Sequence, residues 1–215
     1  MLTSEQRTKL DETSDTLFYE YPRFVTHVDQ AFIAQLTSLY SELLKPEMRV
    51  LDLMSSWVSH LPEDMAFTEV QGHGLNGAEL AKNPRLDSFF VQNLNQNPIL
   101  PVSDRYFDAV LNTVSVQYLQ NPERVFAEIL RVLKPGGVAI ISFSNRMFYQ
   151  KAIQAWRDST DLHRVSLVKS YFQATPGFSE PQVMSRQGKA SGIWQMLQGA
   201  ESNSDPFYGV IAYRN

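Results

Sequence analysis

One short stretch near the start of the chain gathers several side chains that could do chemistry. Residues 18–29 read FYEYPRFVTHVD and combine aromatic, basic and acidic groups. Tyr19 or Tyr21 could cover a cleft, while Arg23 or His27 could contact an acidic substrate. The same pattern also fits aromatic residues that pack locally beside a solvated helix face, so the sequence leaves both interpretations open.

Further polar groups lie at the ends of two apolar runs that read as buried strands. Asp52 belongs to the run RVLDLM, and the Ser55–Ser56 pair follows it. Asn145 and Arg146 come shortly after the run VAIISF. Because the carboxyl ends of parallel strands meet at one edge of a sheet, we expect these side chains to border one cleft. Helix capping is the alternative role for Asp52 and the serine pair.

The four histidines are candidate bases, because imidazole titrates near neutral pH. They lie far apart, none belongs to a His-x-x-x-His pair, and the chain has no cysteine. We therefore expect no structural metal site and no disulfide framework. His27 and His60 are weak candidates for a catalytic base. His73 could act in the same way, although a lone histidine is more often structural, and His163 is expected at the surface.

The composition argues against some classes of function. The formal net charge is −4 and the basic residues are scattered, which disfavours binding of nucleic acid through a basic face. The N-terminus lacks the basic start and apolar run of a secretory signal. No stretch approaches the roughly 20 apolar residues that span a bilayer. We expect a cytoplasmic protein that binds no nucleic acid and has no membrane span.

The spacing of apolar residues predicts alternating helices and strands. Strands are predicted over residues 49–54, 67–72, 89–93, 107–114, 138–143, 182–186 and 207–213. Helices are predicted over residues 24–44, 121–133, 148–158 and 160–174, with Asn121 as the cap of the second. This order predicts one α/β domain over residues 1–215, a doubly wound, Rossmann-like fold with a mostly parallel seven-stranded sheet and helices on both faces. Residues 1–46 are its predicted helical cap. The tryptophans are predicted core or cleft walls: Trp57, Trp156 and Trp194.

Two motifs in the middle of the chain carry a resemblance to a known family. Leu100-Pro101 followed by FDAV at 107–110 is similar to an "LPF…FD-V" element, and RVLKPGG at 131–137 is similar to an "R-x-LKPGG" element. Their order and spacing resemble the class I S-adenosylmethionine-dependent methyltransferases, in particular the type 11 small-molecule branch that includes the ubiquinone and menaquinone methyltransferases. The resemblance extends loosely from about residue 47 to 145.

The resemblance implies S-adenosylmethionine as cofactor and places its methionine part beside the first strand. There the family has a D-x-G-x-G-x-G turn. Asp52 holds the acidic position in this chain, but Met54, Ser56 and Val58 occupy the glycine positions. Pro62 follows closely and predicts a short first helix.

The remaining cofactor positions follow the later strands. The family's ribose-binding acid corresponds to Gly74, with Asn76 two residues on, and its adenine-reading positions correspond to Asn93 and Leu94. The implied cofactor site is Asp52, Met54, Ser55, Ser56, Gly74, Asn76, Asn93, Leu94, Asn112 and Thr113. The candidate substrate-binding residues are Tyr19, Arg23, Gln117, Tyr118, Asn145 and Arg146.

Two hypotheses of function follow. The first is a methyltransferase that acts on a small molecule and mainly aligns a nucleophile with the methyl group; a general base is optional and no metal is implied. The second is a protein of the same fold that has lost catalysis and serves in binding or regulation, because the altered glycine positions and the absent ribose carboxylate favour such a loss.

Overall fold

Seven strands form one sheet in the computed structural model, which describes residues 2–186 and 204–215. The strands are β1 (Arg49–Leu53), β2 (Glu69–Gly74), β3 (Ser88–Val91), β4 (Phe107–Thr113), β5 (Leu133–Phe143), β6 (Gln182–Arg186) and β7 (Phe207–Tyr213). Their order across the sheet is β3-β2-β1-β4-β5-β7-β6. The first five are parallel, and β7 and β6 are antiparallel. The predicted fold class is confirmed, and every predicted strand is present.

Helices connect and cover these strands. They are α1 (Asp15–Phe18), α2 (Gln30–Leu43), α3 (Gly77–Leu80), α4 (Pro122–Val132), α5 (Gln154–Arg157) and α6 (Asp161–Gln173). Short 3₁₀ turns occur at Glu5–Arg7 and Val116–Tyr118. Trp194, a predicted wall of the core or cleft, lies outside the described residues.

Three predicted helix features need correction. The helix expected from residue 24 begins at Gln30, because the Asp29 carboxylate accepts a hydrogen bond from the Phe32 amide (2.8 Å) and caps it there. The helix expected over 148–158 is only the four-residue α5. Asn121 does not cap α4; its side-chain oxygen instead accepts from Arg7 Nη1 (3.2 Å).

The connection from β1 to β2 differs most from the prediction. Residues 54–68 contain no helix, so the expected short first helix is wrong. Met54 and His60 have φ values of 60° and 53°, which an α-helix excludes, and Pro62 removes a further amide donor. The carboxyl end of β1 is therefore followed by an extended loop.

Apolar residues on both faces of the sheet form the core. On one face, α2 packs Phe32, Leu36 and Tyr40 against alternate strand residues, which are Val50, Ala109, Leu111 and Ile140. On the other face, α4, α5 and α6 bury Phe126, Ile129, Trp156 and Val168 against Leu51, Val110 and Ile141. Because neighbouring strand residues point to opposite faces, both halves of the core fix the sheet and with it the edge at which the strands end.

The RVLKPGG motif turns α4 directly into β5. Leu133 pairs with Phe107 and Val138 pairs with Ala109, so the intervening residues form a bulge. Gly136 has a φ of 75° and donates its amide to Arg214 O (2.8 Å). Glycine adopts this conformation without a steric penalty, which explains its place in the turn.

In residues 2–186 and 204–215, no helix is both long and apolar enough to cross a membrane. Over the same residues, no group of three or more His, Cys, Asp or Glu side chains could hold a metal ion.

Candidate functional site

A cavity of about 350 Å³ lies at the carboxyl ends of the parallel strands. It opens where β1 and β4 lie side by side and the strand order reverses, which is the point where ligands bind in open α/β sheets. The predicted site residues on its wall are Tyr19, Arg23, Asp52, Met54, Ser55, Ser56, Gly74, Asn76, Asn93, Leu94, Thr113, Tyr118 and Arg146. Both weak base candidates, His27 and His60, also line it.

Three residues predicted for the site do not line the cavity. Asn112 is buried and donates to Leu53 O (3.2 Å). Gln117 is buried and donates to Val114 O (2.9 Å). Asn145 is exposed to solvent. The first two hold backbone segments at the ends of β1 and β4, because buried polar groups seek hydrogen-bond partners.

His73 fixes the loop that follows β1. Its Nδ1 accepts from the Met54 amide (3.1 Å), and its Nε2 lies 2.9 Å from Gln92 O. The ring is therefore neutral, with the proton on Nε2, and burial lowers its pKa to about 4. With both nitrogens engaged, His73 has a structural role, which is the alternative that the sequence favoured for a lone histidine.

Gly74 has no space for a side chain. The Ser55 amide donates to His73 O (2.6 Å), which draws the loop over the end of β2. A Cβ placed on Gly74 would lie 2.6 Å from Ser55 O. The acid that the family resemblance would require here is thus excluded by the backbone of the loop.

Asp52 is a buried acid at the end of β1. Its side chain accepts a hydrogen bond from Ser55 Oγ (2.6 Å), which favours the charged form. Burial acts more strongly and raises the pKa of Asp52 to about 6. The carboxyl is still mostly ionised at pH 7, so it presents negative charge to the cavity.

The sequence did not point to Glu79, which also lines the cavity. It is only 7% exposed, and its carboxylate accepts from the Arg23 amide (2.7 Å) and Ser56 Oγ (2.5 Å). Asn76 caps α3 by accepting from the amides of Ala78 and Glu79, and it donates to Tyr19 O (2.8 Å). The only available signal was that Glu79 lies five residues after Gly74 in a helix start, and this did not reveal its burial.

Residues 15–28 cover one side of the cavity and are called the N-terminal cover here. The Arg23 guanidinium lies 4.6 Å from the Phe18 ring centroid and 5.4 Å from that of Phe148. Trp57 Nε1 donates to Val25 O (3.1 Å), which joins the cover to the loop after β1. Tyr21 is 76% exposed and does not line the cavity. Of the two tyrosines proposed to cover the cleft, only Tyr19 lies on its wall.

Buried ion pairs hold the start of the cover. Lys9 Nζ contacts both carboxylate oxygens of Asp15, at 2.9 and 2.8 Å. Lys151 is fully buried, donates to Thr13 O (2.6 Å) and lies 3.1 Å from Asp11 Oδ2. The contacts of Lys151 connect the N-terminal segment to the chain that precedes α5.

The two histidines on the cavity wall have lowered pKa values. Partial desolvation lowers the pKa of His27; the Glu79 carboxylate opposes this shift, and the Arg23 cation adds to it. Burial alone lowers the pKa of His60. Both rings are therefore neutral at pH 7 and able to accept a proton.

Comparisons with known proteins agree with this geometry. The methyltransferase domain family matches residues 67–141. The chain has the fold of solved methyltransferase structures. A methyltransferase structure from Mesorhizobium loti, described as S-adenosylmethionine-dependent, has a TM-score of 0.57 at 17% identity and covers 84% of this chain and 98% of its own. Phosphoethanolamine N-methyltransferase 2 of Haemonchus contortus, solved with S-adenosyl-L-methionine, has a TM-score of 0.57 at 15% identity. The match covers 100% of this chain and 60% of that protein.

Curated relatives match this methyltransferase-fold chain over short segments. A malonyl-[acyl-carrier protein] O-methyltransferase of a Marinomonas species is 33% identical over 57 residues, which are 26% of this chain and 21% of the relative. The biotin biosynthesis bifunctional protein BioHC of Teredinibacter turnerae is 36% identical over 58 residues, which are 27% and 10% of the two chains. The matched segment therefore spans about a fifth or less of either relative.

Proposed function

We propose that this chain is an S-adenosylmethionine-dependent methyltransferase whose acceptor is a small molecule. The observation that carries the proposal is the cavity of about 350 Å³ at the point where the strand order reverses. This volume falls at the lower end of the range for small-molecule sites, which is roughly 300–1,000 Å³. The family match over residues 67–141 supports the same reaction.

The residues on the cavity wall fit this cofactor chemically. When bound, the cofactor supplies an electrophilic methyl group on a positively charged sulfur. Asp52 and Glu79 bring negative charge to the wall, and opposite charges attract more strongly away from bulk water. Ser55 and Ser56 supply hydroxyl and amide groups beside them. The buried Leu94, next to Asn93, provides an apolar surface for the adenine end.

The N-terminal cover would exclude water and align the acceptor. Tyr19, Arg23 and His27 line the cavity from the side of the cover. A neutral His27 or His60 would take up the proton that an acceptor hydroxyl loses. An acceptor that is already an anion needs no such base.

The decisive experiment is a binding measurement by isothermal titration calorimetry with S-adenosylmethionine and S-adenosylhomocysteine. We expect dissociation constants in roughly the micromolar range, as is common for enzyme substrates. Ser56→Trp should abolish binding because it fills the cavity. Ser166→Trp, on the exposed surface of α6, is the matched control and should bind normally. Absence of wild-type binding at millimolar ligand would overturn the proposal.

Transfer is tested separately with cofactor that carries a labelled methyl group. The acceptors are small carboxylic acids, phenols, amines and a malonyl thioester, the last chosen because of the name of the Marinomonas relative. Transfer to one of them is the expected result. Tight cofactor binding without transfer to any acceptor would favour the second hypothesis, a binding protein that has lost catalysis.

A further inference from the structure

The carboxylates on the cavity wall differ in whether a cationic side chain pairs with them. Asp15 is neutralised by Lys9 at 2.8 Å. Glu79 accepts only from a serine hydroxyl and a backbone amide, and it takes part in no ion pair among residues 2–186 and 204–215. Burying a carboxylate without a cationic partner is costly. A ligand that donates hydrogen bonds to the carboxylate would offset part of this cost.

Glu79 has acceptor capacity to spare. An ionised carboxylate offers about four lone-pair positions, and the Arg23 amide and Ser56 Oγ occupy two of them. Both donors hold the carboxylate in place on the cavity wall. The remaining positions suit a ligand that brings two hydroxyl donors close together.

The position of Glu79 matches the middle of an adenosyl ligand. The sheet order β3-β2-β1 places Asn93, which follows β3, on one side and Asp52 of β1 on the other. Glu79 belongs to α3, which follows β2 between them. In the proposed cofactor, the ribose likewise lies between adenine and the amino acid part. Gly74, at the end of β2, cannot supply an acid because Ser55 O blocks its side-chain space.

We propose that the Glu79 carboxylate binds the ribose hydroxyls of the adenosyl group and replaces the acid that has no room at Gly74. This inference rests on the proposed function. It assigns to a helix residue a contact that the strand end cannot make here.

The test compares two nucleosides that lack the amino acid part, 5′-methylthioadenosine and its 2′-deoxy analogue. Wild-type protein should bind the ribose form about tenfold or more tightly, because a hydrogen bond to a charged group is stronger than one between neutral groups. Glu79→Gln should reduce this ratio to near one. Glu63→Gln, an exposed residue of the loop before β2, is the matched control and should keep the wild-type ratio.

The outcomes separate the inference from the proposed function. If wild-type protein binds S-adenosylhomocysteine but does not distinguish the two nucleosides, the inference fails and the function stands. The same holds if Glu79→Gln keeps the wild-type ratio. It also holds if Glu79→Gln weakens binding of S-adenosylhomocysteine but leaves binding of 5′-methylthioadenosine unchanged, which would place Glu79 at the ammonium group. If no adenosyl ligand binds, both fail. If Glu79→Gln does not fold, the affinity ratio of the two nucleosides is measured for Glu79→Asp instead, and it decides between these outcomes together with the wild-type ratio.

Discussion

Asp52 illustrates how one buried residue links the site to stability. Its pKa in the folded protein is about 6, above the value of about 3.9 in an unfolded chain. Between these two values the folded state binds more protons than the unfolded state. The contribution of Asp52 to the free energy of unfolding is therefore largest at low pH and declines as the pH rises from about 4 to 6.

Replacing Asp52 with asparagine should remove this dependence. Relative to wild type, Asp52→Asn should gain about 2 kcal/mol in free energy of unfolding between pH 4.5 and pH 8, since one pKa unit corresponds to about 1.4 kcal/mol. Urea unfolding at the two pH values measures the change. The exposed Asp64→Asn serves as control. A difference between wild type and Asp52→Asn that stays constant with pH would show that the carboxyl titrates normally.

At the scale of elements, the sequence predicted the strands better than the loops. β1, β5 and β7 contain short, mostly apolar runs, and burial in the middle of a sheet leaves such runs few alternatives. The observed strand bounds differ from the predicted ones where pairing with a neighbouring strand sets them. For example, β2 extends to Gly74 because that residue pairs with Val91 of β3. Local patterns also predicted the end of α2, which stops at Leu43, just before Lys45-Pro46.

The site was less predictable because its contacts are made between distant segments. The resemblance predicted that Asp52, Asn93 and Thr113 lie near one another, and all three line the cavity. It could not reveal Glu79, whose burial depends on the Arg23 amide 56 residues earlier. The missing helix after β1 depends on the contact of that loop with His73, which no local pattern encodes.

The loop after β1 should also prevent restoration of the family's acid. Gly74→Asp should destabilise the protein by about 1–3 kcal/mol, because extra atoms in a packed site force the backbone to shift, and Ser55 O is a backbone atom. Urea unfolding measures the loss. Gly77→Ala is the control, since its Cβ would meet nothing nearer than 3.5 Å. A Gly74→Asp variant as stable as wild type would mean that the loop can move away from β2.

At the scale of the whole molecule, buried charged side chains connect the N-terminal segment to residues far along the chain, close to the cavity. Lys151 has no exposed surface, yet it contacts Thr13 and Asp11 across 138 and 140 residues of chain. Lys9 and Asp15 extend this cluster, and Asn95 donates to Asp15 (2.8 Å) from the segment after β3. The N-terminal cover is thus attached to the same core as the sheet, so it should unfold together with it.

Lys151→Met tests this attachment, because methionine keeps the volume of the stem and removes the charge. Loss of one partner from a buried ionic cluster should cost about 3 kcal/mol, which corresponds to a drop in melting temperature of roughly 10 °C for a chain of this size. Lys169→Met is the control, since Lys169 is partly exposed and lies 3.8 Å from an exposed Glu180. Calorimetry of wild type should show one transition. Two transitions would mean that the cover unfolds separately from the sheet, and equal melting temperatures for the two variants would mean that the Lys151 contacts do not hold the cover in place.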